Sequence, residues 1–434
     1  MFLRQRIWLG AILAALAAPL ASALPAAEPL PTAFLLGEPP LAAQLAGIDL
    51  DWNISFRAGG KLRVVPTADL AYWGRYRDTE TGPQILLSDG SVIRADPLQL
   101  GEESLTLGDA TGLGRGLWDE SEIPRSALLA ILYQPPALAT SRDRLLDDLA
   151  QADDADDRLL LVGGESVAGT LLSAPLDGRF LPADAQAGQG EFRLARRNLA
   201  EPLAIPAGKV VALSLAAAAP QPLGKDRPVW LGCRDGSLLH AARVEVHGGS
   251  VTLELAAGGA LTTTLAGRDD PEKKFWDEIA LVQPAAASVR WLSDLKTLGY
   301  KHIPLLDLEW SYHADRNCLG GRLRTERALF LKGLGMHSTS RLAYDVAGYR
   351  RFEAELALDQ SAGNRGSAIY KVLLQDGAGA WRAGYESPVV RGGDAPLAVS
   401  LDLAGAARIA LIVEFADRGD ELDRANWLSA RLMK

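Results

Sequence analysis

The residues best suited to chemistry lie late in the chain. His337 stands between glycine-rich stretches and is followed by three hydroxyls, Ser338, Thr339 and Ser340. A neutral imidazole offers one donor and one acceptor, which suits it to sugar oxygens or equally to satisfying loop carbonyls. Trp381 and Tyr385 flank a stretch rich in glycine and polar residues. Aromatic faces there can stack on the C–H face of a pyranose. Trp427 precedes an alternating apolar run, Leu428, Ala430 and Leu432, and is expected in the core. Asp359, Asp417, Asp420 and Asp423 sit in or near turns and are the candidates for a structural Ca²⁺, which takes six to eight oxygens. The acidic run Asp153–Asp157 lacks the Gly and the terminal Glu of an EF-hand loop.

The parts of an enzyme are missing from the pattern. There is no G-x-S-x-G elbow, Walker loop or H-E-x-x-H helix. A glycosidase would need two facing carboxylates, and hydrolase barrels need roughly 250 residues of alternating strands and helices. Residues 24–288 read instead as short β units, so no catalytic role is expected. With two cysteines, Cys233 and Cys318, and sparse His, no zinc-type cluster forms; two free, buried thiols are expected.

The chain has 434 residues, a formal charge of −9 and 48 % hydrophobic residues, enough for several cored domains. Backbone binding of nucleic acid needs clustered Lys and Arg, which an acidic chain does not supply. Residues 1–23 have the three-part form of a signal peptide: Arg4 and Arg6, an apolar stretch from Ile7 to Leu20, then Ala21-Ser22-Ala23. This predicts export to the periplasm or the extracellular space, and no later stretch is apolar enough to span a bilayer.

Four stretches repeat one plan: residues 31–76, 84–136, 158–218 and 228–285. Each opens on an apolar strand running into a turn, such as Leu86-Leu87-Ser88-Asp89-Gly90-Ser91 and Leu231-Gly232-Cys233-Arg234-Asp235-Gly236-Ser237. Asp-Gly and Gly-Gly supply the positive φ of tight hairpins. Further strands follow, and three units close on a Pro and spaced aliphatics, at Pro66, Pro124 and Pro206. The fourth closes on Phe275–Val282 without the Pro. The plan resembles Sm-like or SH-type small barrels. Units this small are expected to pack on one another, or to offer edge strands to protein partners in the cell envelope. Residues 137–157 read as a short helix, from the spacing of Leu145, Leu146 and Leu149, within a solvated acidic linker.

From residue 286 to 434 the sequence reads as a β-sandwich. Arg351–Leu358, Ala368–Leu374, Ala398–Leu403 and Arg408–Phe415 all alternate, the mark of half-buried antiparallel strands. Ordered motifs in this segment resemble the NPCBM family of carbohydrate-binding modules. Arg290–Leu295 is similar to the family's opening. Lys332-Gly333-Leu334-Gly335-Met336-His337-Ser338-Thr339-Ser340 resembles its KGLG-x-H-x-x-S signature. Tyr349–Ala354, Leu358-Asp359 and Gly366-Ser367 with Ile369–Val372 follow in order, and Asp423-Arg424-Ala425-Asn426-Trp427 resembles the closing DHADW. The resemblance implies a galactose-binding-like sandwich with a glycan or polysaccharide as ligand, in a module often attached to glycoside hydrolases. Arg424 and Asn426 depart from the closing motif, and Gln375–Arg382 is longer than the family's turn. The expected fold is all-β, barrel-like units followed by this sandwich. Its expected ligand site is a shallow one made by loops, with His337, Ser338, Trp381 and Tyr385.

Overall fold

The computed structural model describes residues 30–78, 82–109, 116–151, 155–175, 190–197, 199–216, 229–266, 274–285, 289–305 and 308–434. The expected signal peptide, residues 1–23, lies outside them, as do Asp153 and Asp154 of the acidic run. Among the described residues the fold is all-β with two α-helices. No described helix is long and apolar enough to cross a membrane.

Each of the four repeats is a roll of five or six strands whose last strand returns to its first. In the first, Thr32–Leu35 pairs with Leu70–Gly74, and Gln44–Ile48, Asn53–Ala58 and Lys61–Pro66 form a meander. The opening turns place Gly90, Gly164 and Gly236 at φ of 86°, 82° and 93°, where a Cβ is disfavoured. The closing Pro has a local job. Pro66, Pro124 and Pro206 each precede a single 3₁₀ turn, Thr67–Asp69, Arg125–Ala127 and Ala207–Lys209. Each is extended and stands at the cap just before the turn, where its fixed φ ends the strand and its missing N–H removes one donor from the strand's end. The fourth unit uses the helical turn Phe275–Glu278 instead. Alternate side chains fill the rolls: Ile54 and Phe56, Leu105 and Leu107, Phe192 and Leu194, Val251 and Leu253 are all fully buried.

The rolls are fused rather than stacked. The closing strand of the first, Leu70–Gly74, pairs with that of the fourth, Ile279–Pro284. The closing strand of the second, Leu128–Leu132, pairs with that of the third, Val210–Ser214. Val92 of the second also pairs with Leu238 of the fourth. The closing strands, which alone would be free edges, are thus consumed by one another.

The acidic segment is no solvated linker. Helix Ala139–Ala150 buries Leu146 and Leu149 against Leu86, Leu132 and Ala212. It also buries Arg142 and Asp143. Asp157 lies inside a strand, accepts the N–H groups of Leu171 and Ala216, and faces Arg125. The acidic run hid the fact that Asp157 has built-in partners.

The C-terminal segment is a sandwich of two antiparallel sheets, and the four alternating stretches are strands in it. One sheet runs His313–Ala314, Gly333–His337, Arg424–Met433, Arg351–Leu358, Leu397–Asp402. The other runs Gly299–His302, Ser340–Asp345, Ala406–Phe415, Ser367–Asp376, Trp381–Glu386. Between them lie Leu334, Phe352, Tyr370, Leu411, Val413 and Trp427, and Trp427 is fully buried, as its alternation required.

The rolls cover the outer face of the first sheet. Phe34 and Tyr72 stack at 4.5 Å, with the guanidinium groups of Arg75 and Arg431 each within 5.8 Å of both rings. Tyr72 donates its hydroxyl to Glu355 at 2.6 Å, and Arg75 reaches the same carboxylate at 2.5 Å. Beside this lies a second buried cluster. Arg324 of the sandwich donates to Asp78 and Asp143 at 2.5–2.6 Å, and Arg142 joins Asp78 at 3.1 Å. All four side chains are buried.

Candidate functional site

The second sheet's outer face is the one the rolls leave open, and its relief follows from register. Because side chains alternate, every second residue points outward, and aligned neighbours make rows across the strands. One row is Lys301, Arg341, Ile412, Lys371, Glu386. The next is Gly299, Ala343, Ala410, Leu373, Ala383. The third is Asp345, Arg408, Gln375, Trp381. Long side chains therefore stand on both sides of a line of small ones, and the line is a trench. It encloses about 600 Å³, lined by Lys301, Arg341, Ala343, Leu373, Ala410 and Trp381 among others. Five strands at the usual spacing make it about 19 Å long.

Trp381 is 46 % exposed, a large apolar surface for a side chain with a free alternative in the core. It stands at the end of the third row, on the edge strand. Tyr385, on the same strand, packs half-buried against the core and does not join it in the trench. At the other end, Lys301 and Arg341 are exposed and have no acidic partner among the described residues. The acids on this face are engaged: Glu386 and Glu414 flank Lys371 at 3.5 and 2.8 Å, and Asp345 accepts the Ala347 N–H.

His337, the last residue of strand Gly333–His337, and Ser338 just beyond it lie elsewhere, at one end of the sandwich. The His337 ring is 5 % exposed and stacks on Trp310 at 4.6 Å and 6°. Its Nδ1 donates to the Ser338 carbonyl at 2.9 Å, which also faces His302 Nε2 at 3.1 Å. Burial holds the His337 ring below its usual pKa, so it is the neutral, loop-satisfying histidine. Ser338 donates its hydroxyl to Asp423 at 2.7 Å. The expected single site of His337, Ser338, Trp381 and Tyr385 is not assembled, because the first two cap a loop and the last two divide between a face and the core.

The four aspartates do not converge either. Asp359 accepts from Asn317, Ser361, the Arg324 N–H and Asn426, which occupies both its oxygens. Asp423 accepts from Ser338 and the Ser367 N–H; burial pushes it up to about 6, against those bonds. Asp417 pairs with Arg391. Among the described residues no group of three His, Cys, Asp or Glu side chains is placed to hold a metal ion. Both cysteines are free and buried.

The signature residues thus read as scaffold. A Cβ on Gly335 would fall 2.4 Å from the Arg316 carbonyl oxygen, and one on Gly366 2.2 Å from that of Leu422. These glycines let loops close over strands. Sequence reasoning found Trp381 by its surroundings. It missed Lys301, Arg341, Ala343 and Ala410, whose signal is small and charged residues alternating with apolar ones, legible only once the strands are aligned.

Residues 288–433 match the family model for the NPCBM/NEW2 domain. No curated protein matches the chain. Among solved structures, the CBM51-2 and INT domains of Clostridium perfringens ZmpB align at 22 % identity and a TM-score of 0.30. That alignment covers 45 % of this chain and 40 % of the other, so this chain spans less than half the length of that structure. CBM51 from Clostridium perfringens GH95, in complex with methyl-galactose, aligns at 22 % identity and 0.30, over 33 % of this chain and 99 % of that one. Tandem CBM51 modules of Sp3GH98, a family 98 glycoside hydrolase from Streptococcus pneumoniae, align at 11 % and 0.29, over 64 % and 87 %.

Proposed function

Residues 288–433 being an NPCBM/NEW2 domain, we propose that this is an exported, non-catalytic glycan-binding protein that seats a saccharide chain in the trench across the sandwich's open sheet. The observation that carries the reading is Trp381, half exposed at the wall of a trench of about 600 Å³. A pyranose ring can stack on the indole while Ala343, Leu373 and Ala410 take the C–H faces of its neighbours. A trench running across several strands suits a stretch of several sugar rings. The fused rolls hold the sandwich from behind and leave that face outward. A scaffold role in the envelope, built on exposed strand edges, has less to stand on, since the closing strands pair among themselves.

The test is affinity electrophoresis of the full chain through a panel of soluble polysaccharides, wild type against Trp381→Ala. Stacking that covers about 80 Å² of indole is worth about 2 kcal/mol, or some thirtyfold in Kd. The variant should fold normally and lose retention to that degree. Equal retention of the two proteins on every retaining polymer would sink this site, and silence across the panel would sink the function.

A further inference from the structure

We infer that the ligand of this trench is a polysaccharide bearing carboxylates, a uronic-acid chain, held by Lys301 and Arg341; the inference rests on the glycan reading above. Lys301 and Arg341 are register partners on adjacent strands. Two cations directly opposite each other on one face repel, and sheets ordinarily set an acid against a base there. Neither has an ion-pair partner among the described residues, although the chain as a whole is acidic, at −9. The contrast lies in the same row. Lys371, two strands away, has Glu386 and Glu414 beside it. One end of the trench is thus neutralised from within and the other is left positive.

Both cations line the trench wall, within reach of anything lying on the Ala343–Ala410 floor. A guanidinium presents a planar fork that matches a carboxylate with two parallel N–H···O bonds, and the ammonium adds a flexible point charge. Trp381 lies three strands across from Arg341 and four residues along, about 19 Å away in all. The two ends therefore address different rings of one chain: an uncharged ring face on Trp381, and the carboxylate of a ring further along at Arg341 and Lys301. Arg408, in the third row, hydrogen-bonds Gln375 at 3.3 Å and lies opposite Asp345 in register; it is a further cation on this face, across the floor from Arg341.

The experiment uses the full chain and matched polymers: glucuronoxylan and polygalacturonate, each beside its carboxyl-reduced form, with dextran and dextran sulfate as the third pair. Wild type, Arg341→Gln with Lys301→Gln, and Trp381→Ala are compared at low and moderate salt, each checked for native melting. The expected result is retention on at least one uronate polymer, weakened about tenfold or more by carboxyl reduction and by the double substitution, with Trp381→Ala weakening it as well. Equal retention on the carboxyl-reduced polymer overturns the uronate inference and keeps the glycan reading. Retention on dextran sulfate that matches the uronates and ignores Trp381→Ala also overturns it, as plain polyanion attraction. No retention on any polymer, from folded protein, overturns both.

Discussion

Replacing Arg324 by Met isolates the ionic joint between the rolls and the sandwich. The guanidinium makes four hydrogen bonds of 2.5–2.6 Å, two each to Asp78 and Asp143. All three residues are less than 9 % exposed. The substitution keeps the aliphatic stem and removes the charge. Asp78 is then left with Arg142 at 3.1 Å and Asp143 with Arg322 at 3.8 Å. Removing one member of a buried ionic group leaves uncompensated charge, at a cost of about 3–5 kcal/mol. Adding Asp143→Asn alone, which removes the more weakly paired carboxylate and leaves Asp78 to Arg142, should restore part of the loss. The pH dependence gives a second sign. Burial pushes the Asp78 carboxyl up, and Arg324 with Arg142 outweighs it and holds the carboxyl below its usual range. In the wild type this stabilisation is present above the unfolded value of about 3.9 and is lost as the pH falls further. Without Arg324, burial weighs more heavily on Asp78, its carboxyl takes up a proton more readily, and the deficit should narrow as the pH drops from 7 toward 4. Urea unfolding followed by tryptophan fluorescence reads both. A neutral-pH deficit under about 0.5 kcal/mol, or one that does not change with pH, would refute the reasoning.

Three further outcomes follow from geometry. Gly335→Ala should destabilise the sandwich by about 2–3 kcal/mol in thermal melts, since its Cβ meets backbone of Arg316 and Asn317 at 2.4–2.5 Å, which cannot swing away. Ala410→Phe fills the trench floor from the solvent side; it should abolish polysaccharide retention and shift the melting temperature little. Asp423 is raised to about 6, so its contribution to stability is full below about 3.9 and is lost as the pH rises through 6. Asp423→Asn mimics the protonated acid, and it should be more stable than wild type at pH 7.5 and lose that advantage at pH 4, by melts at both.

How much of this was legible beforehand depended on whether the signal was local. Strand alternation and Asp-Gly turns fixed the rolls, and Trp427 announced its own burial. The sandwich was readable from both its alternation and its ordered motifs. Pairing between rolls was not, because Leu70–Gly74 and Ile279–Pro284 carry no mark of preferring each other over their own first strands. Asp143 looked like one more solvated acid, since its partner Arg324 lies far along the chain. His337 drew attention through its hydroxyl neighbours, of which Ser338 ties its loop to Asp423. The trench residues are ordinary one by one, and only the alignment of five strands turns them into a floor and two walls.

The pairing of the rolls is nested, first with fourth and second with third. During synthesis, the strand Leu70–Gly74 therefore waits about two hundred residues for its neighbour. Until then it is an unpaired apolar edge, the kind of segment that recruits strands from other chains. Contacts of such long separation also slow folding. The chain is accordingly ill-suited to being shortened from either side of the array: a fragment ending before Ile279 leaves one edge of the first roll's closing strand bare, and one starting after Gly74 strips the fourth roll of a neighbour and the sandwich of its support.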